Sequence, residues 1–468
     1  MNATRHHFDY DVAVLGGGSA GYAAARVAAD NGLRTAVIES GADVGGLCIL
    51  RGCMPSKALL YAAEVLQRAR DVQPWGIRAE NVGFDFGKVM SRTHALIEGF
   101  ADERREQLSG GKFTFIRATA SFLDSHSVAL SNGEHFTAAH FVITTGSTVA
   151  PPSLSGLQEI GYLTSDDVVK LTTLPESLIV LGGGPVAVEL AQFFSRFGAT
   201  VTLLQRGEHI LREFDTDAAI EMKKVFCRDG VEVLTDTKLI VARRDGPLKT
   251  ILFEHQGQQK SISAEEVLFA LGRVPNTASL DLDKAGVATE DGRIVATELM
   301  QTSARHIYTA GDCAGPHEIV HLAVQQGEIA AHNIVHPKVP RRMDYRLLLS
   351  VIFTDPQVAC VGLTEKSAAE RGVPYLSASH PFSAHGKSII MEARDGFVKL
   401  LAAPQSGEIL GGACIGLMGG ELIHEIVAAM AKRMTVHELT AMPHYHPTLA
   451  GIWTYPAQAL AEQIPGSQ

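Results

Sequence analysis

Cysteine is scarce, with six in 468 residues, which excludes a scaffold built from disulfides. Aromatics are few, 6% of the chain with two tryptophans. Positive charge is in deficit: 41 Lys and Arg against 51 Asp and Glu, a net −10. That balance argues against a nucleic-acid backbone as partner. No apolar run reaches the roughly 18–20 residues of a membrane span. The N-terminal Met1-Asn2-Ala3-Thr4-Arg5-His6-His7 has no apolar stretch of the kind that marks a signal peptide. Low-complexity segments are absent as well. What is plentiful is glycine, 45 residues, in a chain 46% hydrophobic and 20% charged. Such a composition suits a globular protein of two to four domains with tight strand-to-helix turns. A cytoplasmic protein with no membrane and no nucleic-acid partner is the expectation.

The first forty residues form one pattern. Asp9 to Leu15 reads as a short apolar strand, followed by Gly16-Gly17-Gly18-Ser19-Ala20-Gly21. An Ala-rich helix from Tyr22 to Asn31 is ended by Gly32, and Arg34 to Glu39 is a second strand. The pattern returns as the strand Ser177–Leu181, the turn Gly182-Gly183-Gly184-Pro185-Val186-Ala187, a helix Val188–Phe197 and a strand Thr200–Leu204. From Gly16 to Glu39 is 23 positions, and from Gly182 to Gln205 is also 23. A lone G-x-G-x-x-G is weak, but strand, glycine turn, helix and strand twice in one register predicts two dinucleotide folds. A pyrophosphate must approach the backbone at a helix N-terminus, where free N–H groups and the helix dipole meet its charge. Side chains at Gly16, Gly18 and Gly21, or at Gly182 and Gly184, would obstruct that approach or the helix–strand packing.

The ends of the second strands differ. Glu39 is placed to accept hydrogen bonds from a ribose diol. Gln205 stands where an acid would repel a 2′-phosphate, and Arg206 and Arg212 follow it. NADP(H) is therefore favoured over NAD(H) in the second fold. The competing reading makes both arginines solvated surface charges.

Gly45-Gly46-Leu47-Cys48-Ile49-Leu50-Arg51-Gly52-Cys53-Met54-Pro55-Ser56-Lys57 is the most informative stretch. Cysteines at i and i+5 on a regular helix have Cα atoms about 8.6 Å apart, beyond the roughly 7 Å that a disulfide spans. Bridging them requires a distorted helix start, for which Gly45, Gly46 and Gly52 supply backbone freedom. Arg51, helical N–H groups and Lys57 would stabilise a thiolate. A redox-active pair is the reading. Two inert buried cysteines is the bland alternative, and no second Cys/His pair has the spacing of a metal site. Cys227, Cys313, Cys360 and Cys414 lie singly among apolar residues and read as packing residues.

Together with Thr145-Gly146-Ser147, Gly272-Arg273-Val274-Pro275-Asn276, Gly311-Asp312, Phe353-Thr354-Asp355-Pro356 and His444-Tyr445-His446-Pro447-Thr448, these motifs resemble the pyridine nucleotide–disulfide oxidoreductases. Dihydrolipoamide dehydrogenase, glutathione reductase and mercuric reductase are branches of that family. The resemblance covers essentially the whole chain. It implies an α/β architecture of two Rossmann-like dinucleotide-binding domains plus a C-terminal α+β dimerisation domain. The expected limits are 1–150 and 272–341 for the two parts of the FAD domain, 151–271 for the NAD(P) domain, and 342–468 for the interface domain. It further implies FAD, a nicotinamide cofactor, a homodimer and an oxidoreductase acting on sulfur groups with NAD(P), on a small or protein-bound disulfide or dithiol. By position, Cys53 would face the flavin and Cys48 would exchange with substrate. Lys57 would sit by the isoalloxazine and pair with Glu189, and Asp312 would hold the ribityl chain. Gly46, Gly146, Gly272 and His321 would complete the cofactor sites. His446 would be the acid–base group, reaching the thiols of the partner subunit, with His444 as a structural neighbour.

The chain departs from the family at two places. The lipoamide and glutathione branches carry a glutamate five residues after the catalytic histidine, and here that position is Gly451. The loss deprives His446 of its orienting carboxylate, as when a triad loses its acid; Glu421 and Glu462 are the substitutes considered. Pro185 stands where a nicotinamide-gating tyrosine is often seen. The C-terminal Ala461–Gln468 has no cysteine pair of the mercuric or large thioredoxin reductase kind, and no lipoyl module is expected at the N-terminus. The rival expectations are a flavin reductase of metal ions, quinones or oxygen using the same thiols, and a catalytically weak dimeric flavoprotein.

Overall fold

The computed structural model describes residues 7–41 and 43–464. The N-terminal residues 1–6 and the C-terminal residues 465–468, on which part of the terminal readings rests, lie outside them. The chain forms two compact units. One takes in Met1–Ser56, Ser91–Pro151 and Gly272–Asp344; the other Lys57–Met90, Pro152–Leu271 and Tyr345–Gln468. Lys57–Met90 groups with the second unit, because Leu59, Leu60, Ala63, Leu66 and Met90 are buried in that unit's core.

In the first unit, apolar runs bounded by turns make a parallel sheet. Tyr10–Leu15 lies between Thr35–Glu39 and His135–Ile143, with Thr114–Arg117 and Ile307–Thr309 as the outer parallel strands. The first half of His135–Ile143 also joins an antiparallel meander with Ser127–Leu130 and Ala120–Phe122. Helices Ser19–Asp30 and Val320–Val335 pack through small residues: a Cβ on Gly327 would stand 2.3 Å from the Ala20 carbonyl oxygen. A core of Phe122, Phe141, Leu15, Ile143 and Ile307 closes this unit.

The second unit holds a parallel sheet in the order Glu232–Leu234, Thr200–Leu204, Ser177–Leu181, Glu266–Phe269. Helix Pro185–Arg196 is so apolar that Phe193 and Phe194 are fully buried. Beyond Tyr345, an antiparallel sheet runs Leu349–Ile352, Gln357–Gly362, Ile409–Gly416, Phe397–Ala402, Leu376–Pro381. Helix Gly419–Ala431, read from sequence as Glu421 to Arg433, packs against it around Ile423, Ile426 and Met430.

Both nucleotide helices start three residues before their expected positions, at Ser19 and Pro185. The second half of each glycine turn is already the first helical turn. Pro185 is tolerated there because the first helical residue needs no N–H partner.

Candidate active site

The thiol segment belongs to the first unit up to Ser56. Gly45 (φ 149°) and Gly46 (φ 69°) turn the chain into a short helix, Gly46–Leu50, and a new helix, Cys53–Arg70, begins after Arg51 and Gly52. Two helices with a break thus replace the single distorted helix start expected. Cys48 sits in the first and Cys53 opens the second; both are half-buried. At the start of a long helix, Cys53 meets backbone N–H groups and the positive end of the dipole, which favour a thiolate.

The same unit carries the first glycine turn. Gly16 (φ 112°) passes so close to the next strand that a Cβ would lie 2.5 Å from the Thr144 carbonyl oxygen. Thr144 fastens the turn, its hydroxyl donating to Leu15 O at 3.1 Å and Gly16 O at 2.9 Å. Gly18 caps helix Ser19–Asp30 with no side chain, and only Gly46 Cα lies within 4 Å of where its Cβ would be, at 3.8 Å. Glu39 accepts hydrogen bonds from the Gly17 and Gly41 amides, both 2.8 Å. Elsewhere in this unit Ser147 donates to Asp312 at 2.6 Å and accepts from Arg273 at 2.8 Å. Burial pushes the Asp312 carboxyl up, and the Ser147 hydrogen bond opposes the shift. Gly146 (φ 70°) accepts from the Asn276 amide, and Gly272 (φ 119°) accepts from the Ala150 amide. His321 lies half-buried in the first turn of helix Val320–Val335. An unobstructed helix N-terminus, a carboxylate at the strand end and a half-buried aspartate fit FAD.

In the second unit the turn repeats, with Gly182 at φ 117° and Gly184 capping helix Pro185–Arg196 with open space around its Cβ position. Gln205 donates to His209 O at 3.0 Å. Arg206 and Arg212 are exposed, and no ion pair among the described residues occupies either guanidinium. Lys57 meets the buried Glu189 at 3.0 and 3.1 Å and lies 4.7 Å from the Phe353 ring centroid. Glu189 also accepts from the Phe353 amide at 2.9 Å. That explains Phe353-Thr354-Asp355-Pro356: the Asp355 amide donates to Gln192, and its carboxylate takes Arg196, fixing the segment on the helix that carries Glu189.

His446 is exposed. His444 is nearly buried, with Nε2 2.6 Å from Glu425 and Nδ1 3.0 Å from the Met442 carbonyl. The carboxylate in this region therefore serves His444. Glu421 is exposed and Glu462 takes Gln458, so neither candidate substitute bonds a histidine. Of the scattered cysteines, Cys313, Cys360 and Cys414 are buried, with burial pushing the Cys360 thiol up to about 12. Cys227 is exposed, on the outer face of helix Thr216–Arg228, and is not a packing residue.

A profile of the family described as pyridine nucleotide-disulphide oxidoreductase matches residues 10–327, and that of its dimerisation domain matches 348–456. The chain belongs to this family. Dihydrolipoyl dehydrogenase of Geobacillus stearothermophilus is 34% identical over 94% of this chain and 93% of its own length. Mercuric reductase of Staphylococcus aureus is 32% identical over 92% of this chain and 79% of its own length. Among solved structures, LpdA of Mycobacterium tuberculosis has a TM-score of 0.87 at 25% identity, covering 96% of this chain and 99% of that one. RclA of Escherichia coli, described as an HOCl-induced flavoprotein disulfide reductase, shares the fold with a TM-score of 0.85 at 24% identity, covering 96% and 99%. As a pyridine nucleotide–disulphide oxidoreductase the chain is a flavoprotein of the FAD-dependent, dihydrolipoamide dehydrogenase-like kind, with a nicotinamide cofactor. No helix among the described residues is long and apolar enough to cross a membrane.

Sequence reasoning missed Arg104 and Tyr22. Arg104, on helix Phe86–Ser109, lies 4.2 Å from the centroid of the Tyr22 ring on helix Ser19–Asp30. The two lie on different helices and share no motif, so nothing local pairs them.

Proposed function

We propose that this oxidoreductase couples NADPH, in preference to NADH, to a disulfide or dithiol substrate through Cys48 and Cys53, as a cytoplasmic homodimer. The net reaction is NADPH + H⁺ + RSSR → NADP⁺ + 2 RSH. The observation that carries the reading is the approach of the thiol segment to the first glycine turn: a Cβ on Gly46 would lie 2.8 Å from Gly18 Cα. Bound at that turn, FAD would relay an electron pair between the nicotinamide and the thiols. Gly16, Gly18, Gly21 and Glu39 would hold its pyrophosphate and ribose, with Gly146, Asp312 and His321 lining the remainder. Lys57, oriented by Glu189, would supply positive charge to it.

In the reduced protein the Cys48 thiolate attacks one substrate sulfur, and the other sulfur leaves and takes a proton from His446 of the partner subunit. Cys53 then attacks the Cys48 sulfur, re-forming the internal disulfide and releasing the second thiol. The exposed Arg206 and Arg212 support NADPH, since guanidinium groups bind a 2′-phosphate by charge-assisted hydrogen bonds. The match to the dimerisation domain supports a homodimer. Scarce cysteine supports a reducing compartment. The division at 150/151, 271/272 and 341/342 is proposed as the limits of the cofactor-binding and interface modules.

The test is an anaerobic titration of the holoenzyme with NADPH and, separately, NADH, following flavin absorbance. Bleaching by NADPH at the lower concentration, with two new thiols per chain, is expected. Bleaching by NADH alone would reverse the nucleotide preference, and no bleaching by either would leave a weak flavoprotein. A second reading, reduction of metal ions or quinones by the same thiols, is favoured by Gly451, which gives His446 no carboxylate. Its signature is turnover with quinones or metal salts above that with every disulfide tested. A Cβ on Gly451 would meet only Thr448 Oγ1, at 3.7 Å, so a side chain can start there without a clash, and Gly451→Glu is the variant to make. Disulfide turnover in that variant should rise about tenfold if proton delivery limits the protein.

A further inference from the structure

Helix Phe86–Ser109 carries two adjacent arginines in opposite circumstances. Arg105 is exposed and paired with Glu98 and Asp102. Arg104 is turned inward. Its guanidinium carbon stands 4.2 Å from the Tyr22 ring centroid, and its Nε and Nη1 atoms are buried with no hydrogen-bond partner. Burial works against the charge; the electrostatic neighbours that offset it are Tyr22, Glu103 and Cys48. Glu103 is exposed and already accepts from Gln107. The ring face contributes a cation–π attraction but fills none of the in-plane N–H positions. Buried donors without a partner are rare in native folds, and where they occur they call for an explanation in function. This one lies within electrostatic reach of the cysteine placed to exchange with substrate.

We propose that Arg104, seated on the Tyr22 ring, is a binding residue for an anionic group of the substrate, so that the disulfide or dithiol reaching Cys48 carries a carboxylate. The inference rests on the oxidoreductase reading above and names its substrate class. Nε and Nη1 lie on different edges of the guanidinium, so the parallel N–H pair that would meet a carboxylate is Nη1 with Nη2, on a group whose plane the ring already fixes. Tyr22 lies one turn into the nucleotide helix, so the subsite is anchored to the element that also presents the first glycine turn.

The experiment uses the FAD-loaded full chain and one disulfide in two charge states, lipoate and lipoamide. Binding to the oxidised protein is measured by titration calorimetry for wild type, Arg104→Gln and Arg104→Lys. Lipoate affinity should fall about tenfold more than lipoamide affinity in Arg104→Gln, the equivalent of one charge-assisted hydrogen bond. Arg104→Lys, which keeps the charge, should recover part of that difference. In steady-state turnover the same selectivity should enter through KM rather than kcat. Equal losses for both ligands in Arg104→Gln, or no loss for either, would overturn the proposal; equal losses would assign Arg104 to the Cys48 environment or to the fold. Calorimetry needs no turnover. A failure of the oxidoreductase reading, shown by a flavin that neither NADPH nor NADH bleaches, is therefore read separately from the lipoate–lipoamide difference.

Discussion

The two glycine turns begin alike and end differently. Gly16 and Gly182 adopt φ of 112° and 117°, and a Cβ on either would strike the carbonyl oxygen of the residue after a neighbouring strand, Thr144 at 2.5 Å or Ala270 at 2.4 Å. At the third position the turns part. A Cβ on Gly21 would stand 1.8 Å from Gly16 O, whereas the second turn accommodates the methyl of a fully buried Ala187. At the strand ends, Glu39 reaches under its turn to accept from the Gly17 amide. Gln205 lies under Gly183 in the same way but donates to the loop beyond, at His209. Backbone sterics thus fix the entry to each turn, and the side chain that closes each second strand, Glu39 or Gln205, sets what is bonded beneath it.

The strongest challenge to that contrast is to exchange the third residues. Gly21→Ala should leave protein with at least about tenfold less bound flavin, because the methyl displaces the turn. Ala187→Gly should keep its flavin and lose about 1 kcal/mol of stability. The flavin-to-protein absorbance ratio and thermal unfolding separate the two. Next in size is the nucleotide switch: Gln205→Glu with Arg206→Ala should shift the kcat/KM ratio about tenfold toward NADH. An unchanged ratio would remove the strand end from nucleotide choice. Thr144→Ala gives the first turn the second turn's residue and deletes a hydroxyl bound to two carbonyls, for about 1 kcal/mol by denaturant unfolding.

The smallest effect concerns acid. His140 and His306, beside the first turn's sheet, are both held below the usual 6.5, His140 by burial and then by His306, His306 chiefly by burial. The folded chain therefore binds these protons less readily than the unfolded one. Their contribution to stability is whole above about 6.5 and is lost as pH falls through the lowered values. Between about pH 7.5 and 5.5 the wild type should lose more thermal stability than His140→Gln, by about 1 kcal/mol or less.

The architecture was open to reading because its signals are local. A period of strand, glycine turn and helix occupies some two dozen consecutive residues, and only the helix starts were displaced, to Ser19 and Pro185. The meeting of Lys57 with Glu189, 132 residues apart, followed from the family resemblance and not from spacing. Glu425 on His444 was passed over for Glu421 and Glu462, since the side of helix Gly419–Ala431 that faces the His-Pro turn is a matter of packing. Arg104 left no trace at all: an arginine beside a second, exposed arginine looks like surface until the fold turns one of them inward.

Gly46 and Gly18 touch backbone to backbone. A shift of either segment therefore bears on the other, so occupancy of the nucleotide turn and the shape of the thiol segment are expected to be coupled. Stripping the dinucleotide should change how readily Cys48 reacts with an alkylating reagent. By the same reciprocity, blocking Cys48 with a bulky adduct should weaken the hold on the dinucleotide. The thiols then report on whether the protein is loaded before any electron has moved.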